Sequence, residues 1–102
     1  MKHHRSPAPR ERAAAQEQLF CAILSLRTQQ ECAQFFTDLC TPAELEALAD
    51  RWAVVGLLND GLPYRKIHEL TGVSVTTIGR VARFLTAGNG GYATALKRVY
   101  TP

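Results

Sequence analysis

Gly61-Leu-Pro-Tyr-Arg-Lys-Ile-His-Glu-Leu-Thr-Gly72-Val-Ser-Val-Thr-Thr-Ile-Gly-Arg80-Val-Ala-Arg83 is the stretch that decides how this chain reads. Its first part predicts a short helix near 64–70, followed by a turn at Thr71-Gly72-Val73. Ser74 then stands at an N-cap, opening a second helix that reaches about Thr86. Ile67, Leu70, Val73, Ile78, Val81 and Leu85 form one apolar seam able to hold both helices against a body. The remaining face of the second helix starts with small or hydroxyl residues, Ser74, Val75, Thr76 and Thr77, and continues through Gly79 to Arg80 and Arg83. A helix lying in a DNA major groove needs this profile: slim residues where backbone and bases approach, then guanidinium groups for base edges or phosphates.

The residues divide by chemistry. The methyl groups of Val75, Thr76 and Thr77 can meet a thymine methyl, and the threonine hydroxyls can donate or accept. Gly79 costs about 1 kcal/mol of helix propensity relative to Ala, so close approach of another molecule is a better reason for it than helix stability. Arg80 suits a guanine edge or a phosphate, and Arg83, one turn on, suits backbone phosphate. Another function class stays open: a helical hairpin whose basic face docks an acidic protein partner.

Charge favours a phosphate-binding surface. The 102-residue chain has a net charge of +3, unevenly spread. Residues 1–12 hold Lys2, Arg5, Arg10 and Arg12 against Glu11, whereas residues 13–60 hold seven acids against Arg27 and Arg51. Beyond Gly61, Arg65, Lys66, Arg80, Arg83, Lys97 and Arg98 face only Glu69. Positive charge is thus concentrated on the helical pair and the two ends.

The rest of the chain reads as helices only, with residues 1–10 as a flexible basic arm and 11–102 as one domain. A helix from about Glu11 to Leu26 is apolar around much of its circumference through Phe20–Leu24, which calls for cover from a partner subunit. Thr28-Gln-Gln-Glu31 has the form of a capping box before a helix near 29–39, and Thr41-Pro-Ala-Glu44 repeats it with Pro42 at the first helical position. The helix that follows, to about Asp60, places Leu45, Leu48, Trp52, Val55 and Leu58 at helical spacing and stops at Gly61. After the break at Gly88-Asn-Gly-Gly91, a last helix from about Tyr92 to Tyr100 presents Leu96 and Val99. Trp52 and Phe84 read as core.

Enzyme chemistry finds no support. Cys21, Cys32 and Cys40 make no Cys-x-x-Cys pair and have no histidine at zinc spacing, so mostly buried reduced thiols are expected, with no catalytic residue, metal or cofactor. Gly88–Gly91 lacks the preceding strand and following Lys-Ser/Thr of a phosphate loop. No apolar run approaches the roughly 20 residues of a membrane span. With no signal-peptide pattern, the expected location is cytoplasmic.

Phe35-Phe-Thr-Asp-Leu-Cys-Thr41, Thr41-Pro-Ala-Glu-Leu-Glu-Ala-Leu48, Thr71-Gly-Val-Ser-Val-Thr-Thr-Ile-Gly-Arg-Val-Ala-Arg83 and Gly88-Asn-Gly-Gly-Tyr92 occur in this order. Together they resemble the tryptophan repressor, and more closely the Trp-repressor-like proteins of the YerC/YecD type, over about residues 17–100. The resemblance implies an all-α, six-helix fold, an intertwined homodimer, and a helix-turn-helix at about 63–86 that binds a palindromic operator in double-stranded DNA and represses transcription. It adds Tyr64, Arg65 and Lys66 as residues near the phosphate strand. It also implies an amino-acid pocket walled by two arginines. One matches Arg80; the other position is read as Ala53, and Val81 and Phe84 replace small residues of the pocket. Tryptophan is therefore not expected as co-repressor.

Overall fold

The computed structural model describes residues 8–100, which form six helices and no strand. They are α1 (Pro9–Leu24), α2 (Gln29–Leu39), α3 (Pro42–Asn59), α4 (Tyr64–Thr71), α5 (Val75–Ala87) and α6 (Gly91–Tyr100). The all-α expectation is met, with boundaries within about two residues of those read from capping and periodicity. The chain divides into two compact units, Met1–Cys40 and Thr41–Pro102.

In the first unit, α1 opens with Pro9, whose ring presets a helical φ where no amide donor is needed. Pro9 and Arg10 thus belong to a helix rather than to the arm expected over residues 1–10, and residues 1–7 lie outside the described residues. No residue of α1 is buried, and Leu24 is 83% exposed. The broad apolar arc is only partly covered among the described residues: Leu19, Ala22 and Ile23 are half-buried, and Phe20 and Leu24 stand exposed. The same want of cover corrects the cysteine expectation: Cys21 is exposed, Cys32 and Cys40 are half-buried, and all three are free thiols.

The α2 cap also differs from its expected form. The Glu31 N–H donates to Thr28 Oγ1 at 3.0 Å, but Glu31 Oε1 accepts from the Arg27 N–H at 2.8 Å instead of from Thr28. Thr28 has φ −133° where the complete box at Thr41 has φ −67°. At Thr41 both bonds form: the Glu44 N–H donates to Thr41 Oγ1 at 3.1 Å, and the Thr41 N–H donates to Glu44 Oε1 at 2.8 Å.

That backbone amide first, and the Thr41 hydroxyl second, hold the Glu44 carboxyl below its ordinary value. A depressed folded-state value means that the ionised group favours folding above the ordinary glutamate range, and that this contribution fades as pH falls through the folded value. Glu44→Gln should therefore shrink the acid-side loss of melting temperature. Thr41→Ala should lower stability by about 1 kcal/mol near neutral pH through loss of the cap. Melting curves taken from neutral to acidic pH check both; identical acid limbs for Glu44→Gln and wild type would refute the assignment.

The second unit is built around Val54, Val55, Ile67, Val73, Ile78, Val81 and Leu96, with Trp52, Leu57, Leu58, Leu62, Leu85 and Tyr92 packed at its edge. Because α3 packs against both α4 and α5, it buries two adjacent residues, and Val54 joins the predicted Val55. Trp52 sits 6.5 Å from Tyr92, ring centre to ring centre, and ties α3 to α6 as a packing residue. Three predicted seam or core residues are corrected. Leu70 is 56% exposed, because the eight-residue α4 offers one turn to the core and Ile67 fills that place. Leu48 and Val99 are also exposed.

Candidate nucleic-acid interface

The turn between α4 and α5 starts from a left-handed residue. Gly72, at φ +74°, caps α4 by donating its N–H to the His68 carbonyl at 2.8 Å, and a side chain there would strain the backbone. Val73 follows, buried. Ser74 caps α5 by accepting the Thr77 N–H at 3.1 Å, and its own hydroxyl donates to Thr77 Oγ1 at 3.0 Å.

From that cap the helical repeat sorts the rest. Ile78 and Val81 are buried on the α3 side, so Val75, Thr76, Gly79, Arg80 and Arg83 face away from the core. Thr76, Arg80 and Arg83 follow one another at i, i+4 and i+7 and are all exposed. Val75, 53% exposed, begins the neighbouring row that Gly79 continues. A Cβ on Gly79 would meet only Tyr64 Cε2, at an ordinary 3.8 Å. The start of α4 and the middle of α5 therefore share one surface, and Arg65 and Lys66 stand exposed in the same first turn of α4 as Tyr64.

Not every predicted site residue is equally free. Ser74 and Thr77 spend their hydroxyls on each other, and Thr77 is half-buried. Thr77 lines a shallow recess of about 220 Å³ with Ala47, Asp50, Arg51, Val73 and Ser74. This recess corrects the reading that α3 has lost its guanidinium beside the helical pair. Arg51 of α3, two residues before Ala53, lies on the recess next to the start of α5. Phe84 departs from its expected core placement: it is 43% exposed and takes the Arg80 guanidinium over its ring at 5.3 Å. One turn separates the two residues, so a cation–π contact holds Arg80 along the helix surface.

Sequence reasoning missed two structural contributors. Arg51 sits among acidic residues in a helix read for its apolar spacing. His68, assigned no role, brings Nδ1 within 2.7 Å of the Val73 carbonyl across the turn. A contact from i to i+5 around a left-handed glycine has no periodic signature.

Among the described residues no group of three His, Cys, Asp or Glu side chains could hold a metal ion, and no helix is long and apolar enough to cross a membrane. Gly88–Gly91 joins α5 to α6 as a turn, beside an open recess of about 370 Å³ lined by Phe84, Asn89, Gly91 and Tyr92.

An all-helical unit that turns one polar, basic face of its last-but-one helix outward from a glycine-capped turn defines a helix-turn-helix protein. The chain belongs to the Trp repressor family, whose model, described as Trp repressor protein, matches residues 14–100. It is 49% identical over 83 residues to the uncharacterized protein YerC of Bacillus subtilis (strain 168), covering 81% of this chain and 80% of that protein. The crystal structure of a TrpR-like protein from Eubacterium eligens ATCC 27750 superposes with a TM-score of 0.82 at 43% identity, over 86% of this chain and 91% of that one. A second crystal structure, from Staphylococcus aureus, gives a TM-score of 0.83 at 39% identity, over 94% and 98%. The fold is that of the Trp-repressor-like proteins.

Proposed function

We propose that this protein is a sequence-specific DNA-binding transcription regulator acting as a homodimer, with α5 as its recognition helix. The observation that carries the reading is the outward face of α5: Val75, Thr76 and Gly79 provide a slim leading surface, and Arg80 and Arg83 extend it with charge. Arg65 and Lys66 flank that face as phosphate contacts, with Tyr64 between them and Gly79. Ser74 and Thr77 set the start of the helix, with the Ser74 hydroxyl and the Thr77 N–H engaged in the cap. Family membership supports the same class of function. Two such helices, related by a dimer axis, would meet successive major grooves of a palindromic site, and occupancy of that site would repress transcription without any chemical turnover. In this reading the protein works in the cytoplasm.

The test is selection of bound fragments from random duplex DNA, followed by titration of the selected duplex at several salt concentrations. Binding should weaken steeply with salt as phosphate neutralisation releases counterions. Arg65→Ala should weaken all duplexes alike and reduce the salt slope by about one. An unchanged slope would remove Arg65 from the phosphate contacts, and absence of any preferred sequence would defeat the DNA reading.

L-Tryptophan is not the effector in this proposal. An indole gains attraction from each guanidinium it stacks on, about 0.5–2 kcal/mol according to desolvation. Arg51 and Arg80 are both present, so the argument rests on the other two residues. Val81 is buried in the core, and the Phe84 ring already lies under Arg80, holding the ring–cation contact that an indole would need. DNA affinity should be the same with and without millimolar tryptophan. A tenfold gain, about 1.4 kcal/mol of coupling, would show a working tryptophan pocket.

A further inference from the structure

We infer that His68 is a positioning residue for DNA readout: its Nδ1–H holds the Val73 carbonyl and so sets the direction in which α5 leaves the turn. This inference rests on the reading of α5 as the recognition helix. Val73 is the last buried residue before the Ser74 cap, and α4 side chains engage both of its backbone groups. The Val73 N–H donates to Thr71 Oγ1 at 3.1 Å, while Thr71 Oγ1 itself donates to the Ile67 carbonyl at 2.7 Å. The Val73 carbonyl lies 2.7 Å from His68 Nδ1. A carbonyl can only accept, so Nδ1 must carry the proton.

The two bonds fix different peptide planes. Thr71 holds the plane between Gly72 and Val73, and His68 holds the plane between Val73 and Ser74. With both planes pinned, the φ and ψ of Val73 are determined, and these angles aim the helix that starts one residue later. The Val73 carbonyl lies outside the helical ladders, so without His68 only water would hold its plane. Arg80 lies six residues beyond the Ser74 cap, about 9 Å along the axis. A tilt of about 10° at the turn would move it by about 1.5 Å, more than hydrogen-bond geometry at a base edge tolerates. Backbone phosphate contacts from flexible Arg65 and Lys66 side chains would absorb the same tilt. His68 should therefore govern discrimination between sequences, and leave the electrostatic part of binding unchanged.

Two measurements test this. In the free wild-type protein, nitrogen NMR of the neutral ring should show Nδ1 protonated and Nε2 bare. The opposite tautomer would mean that the clip does not form. The second measurement compares affinity for a duplex selected by the wild type with affinity for a scrambled duplex of equal length. An asparagine side chain can place its amide donor where Nδ1 stands, whereas glutamine places it nearer Nε2. His68→Asn should keep the wild-type ratio within about twofold, while His68→Ala and His68→Gln lower it by about tenfold, the scale of one lost hydrogen bond. All should keep the wild-type salt slope and helix content.

Retention by Gln with loss by Asn, or a salt slope reduced by one, would make His68 a direct phosphate contact and overturn the positioning role. Equal ratios in all variants would overturn it as well. If the wild type prefers no sequence, the DNA reading fails and the readout role with it, but the nitrogen spectrum still decides whether His68 grips the turn.

Discussion

Leu24→Glu should dissociate the protein into monomers and cost several kcal/mol of stability at micromolar concentration. The reasoning turns on Leu24 being 83% exposed within its own chain, at the end of an α1 that has no buried residue. If the chain stayed single, a glutamate there would be solvated and cost at most about 1 kcal/mol, from the negative C-terminal end of the helix dipole. If a second copy covers α1, the substitution buries an unpaired carboxylate, whose transfer out of water is costly. The size of the effect, together with the change in mass, therefore reports the assembly. Phe20, also exposed on α1, should respond in the same way. Ile23 is a poorer site for this test, since it is already half-buried within the chain and a charge there would disturb the monomer too. Light scattering and concentration-dependent melting of wild type and Leu24→Glu give the answer. A wild type of about 11.3 kDa across the micromolar range would end the dimer proposal.

The second large effect should appear at Gly79, with opposite signs for stability and binding. An alanine there meets only Tyr64, at van der Waals distance, so the fold accommodates it. Replacing a mid-helix glycine should then stabilise α5 by up to about 1 kcal/mol. If α5 enters a major groove along its Val75–Gly79 row, the added methyl and, more severely, the branch of a valine would hold the helix off the bases. Affinity for a selected duplex should fall by tenfold or more, and affinity for scrambled DNA should fall much less. The paired readings, a higher melting temperature and weaker specific binding, exclude an unfolding artefact. Unchanged specific binding by Gly79→Val would move the DNA-facing row elsewhere on the helix.

The sequence itself determined the six helices, because each is announced locally. Thr28, Thr41 and Ser74 accept from the amide three residues on, Pro42 opens α3, and Gly61 and Gly72 take positive φ where helices must stop, whereas Pro9, read as part of the arm, opens α1. The outward row of α5 was equally legible, since burying Ile78 and Val81 leaves Val75, Thr76, Arg80 and Arg83 no other direction. What only the tertiary structure decided was which apolar residues are core and how the site residues are held. Leu70 and Val54 exchanged their expected status because burial depends on how much of an element meets its neighbours: the 18-residue α3 packs on both α4 and α5, whereas the eight-residue α4 gives the core one turn. Phe84 came to the surface under Arg80, Arg51 came to the recess beside Thr77, and His68 gripped Val73 across the turn. The Arg51 and His68 contacts join residues whose spacing carries no period, and the Arg80–Phe84 pair, though one turn apart, lies on a face whose exposure its spacing does not give. Local hydrogen-bonding rules write themselves into neighbouring residues, whereas packing and cross-turn contacts exist only once the helices have met.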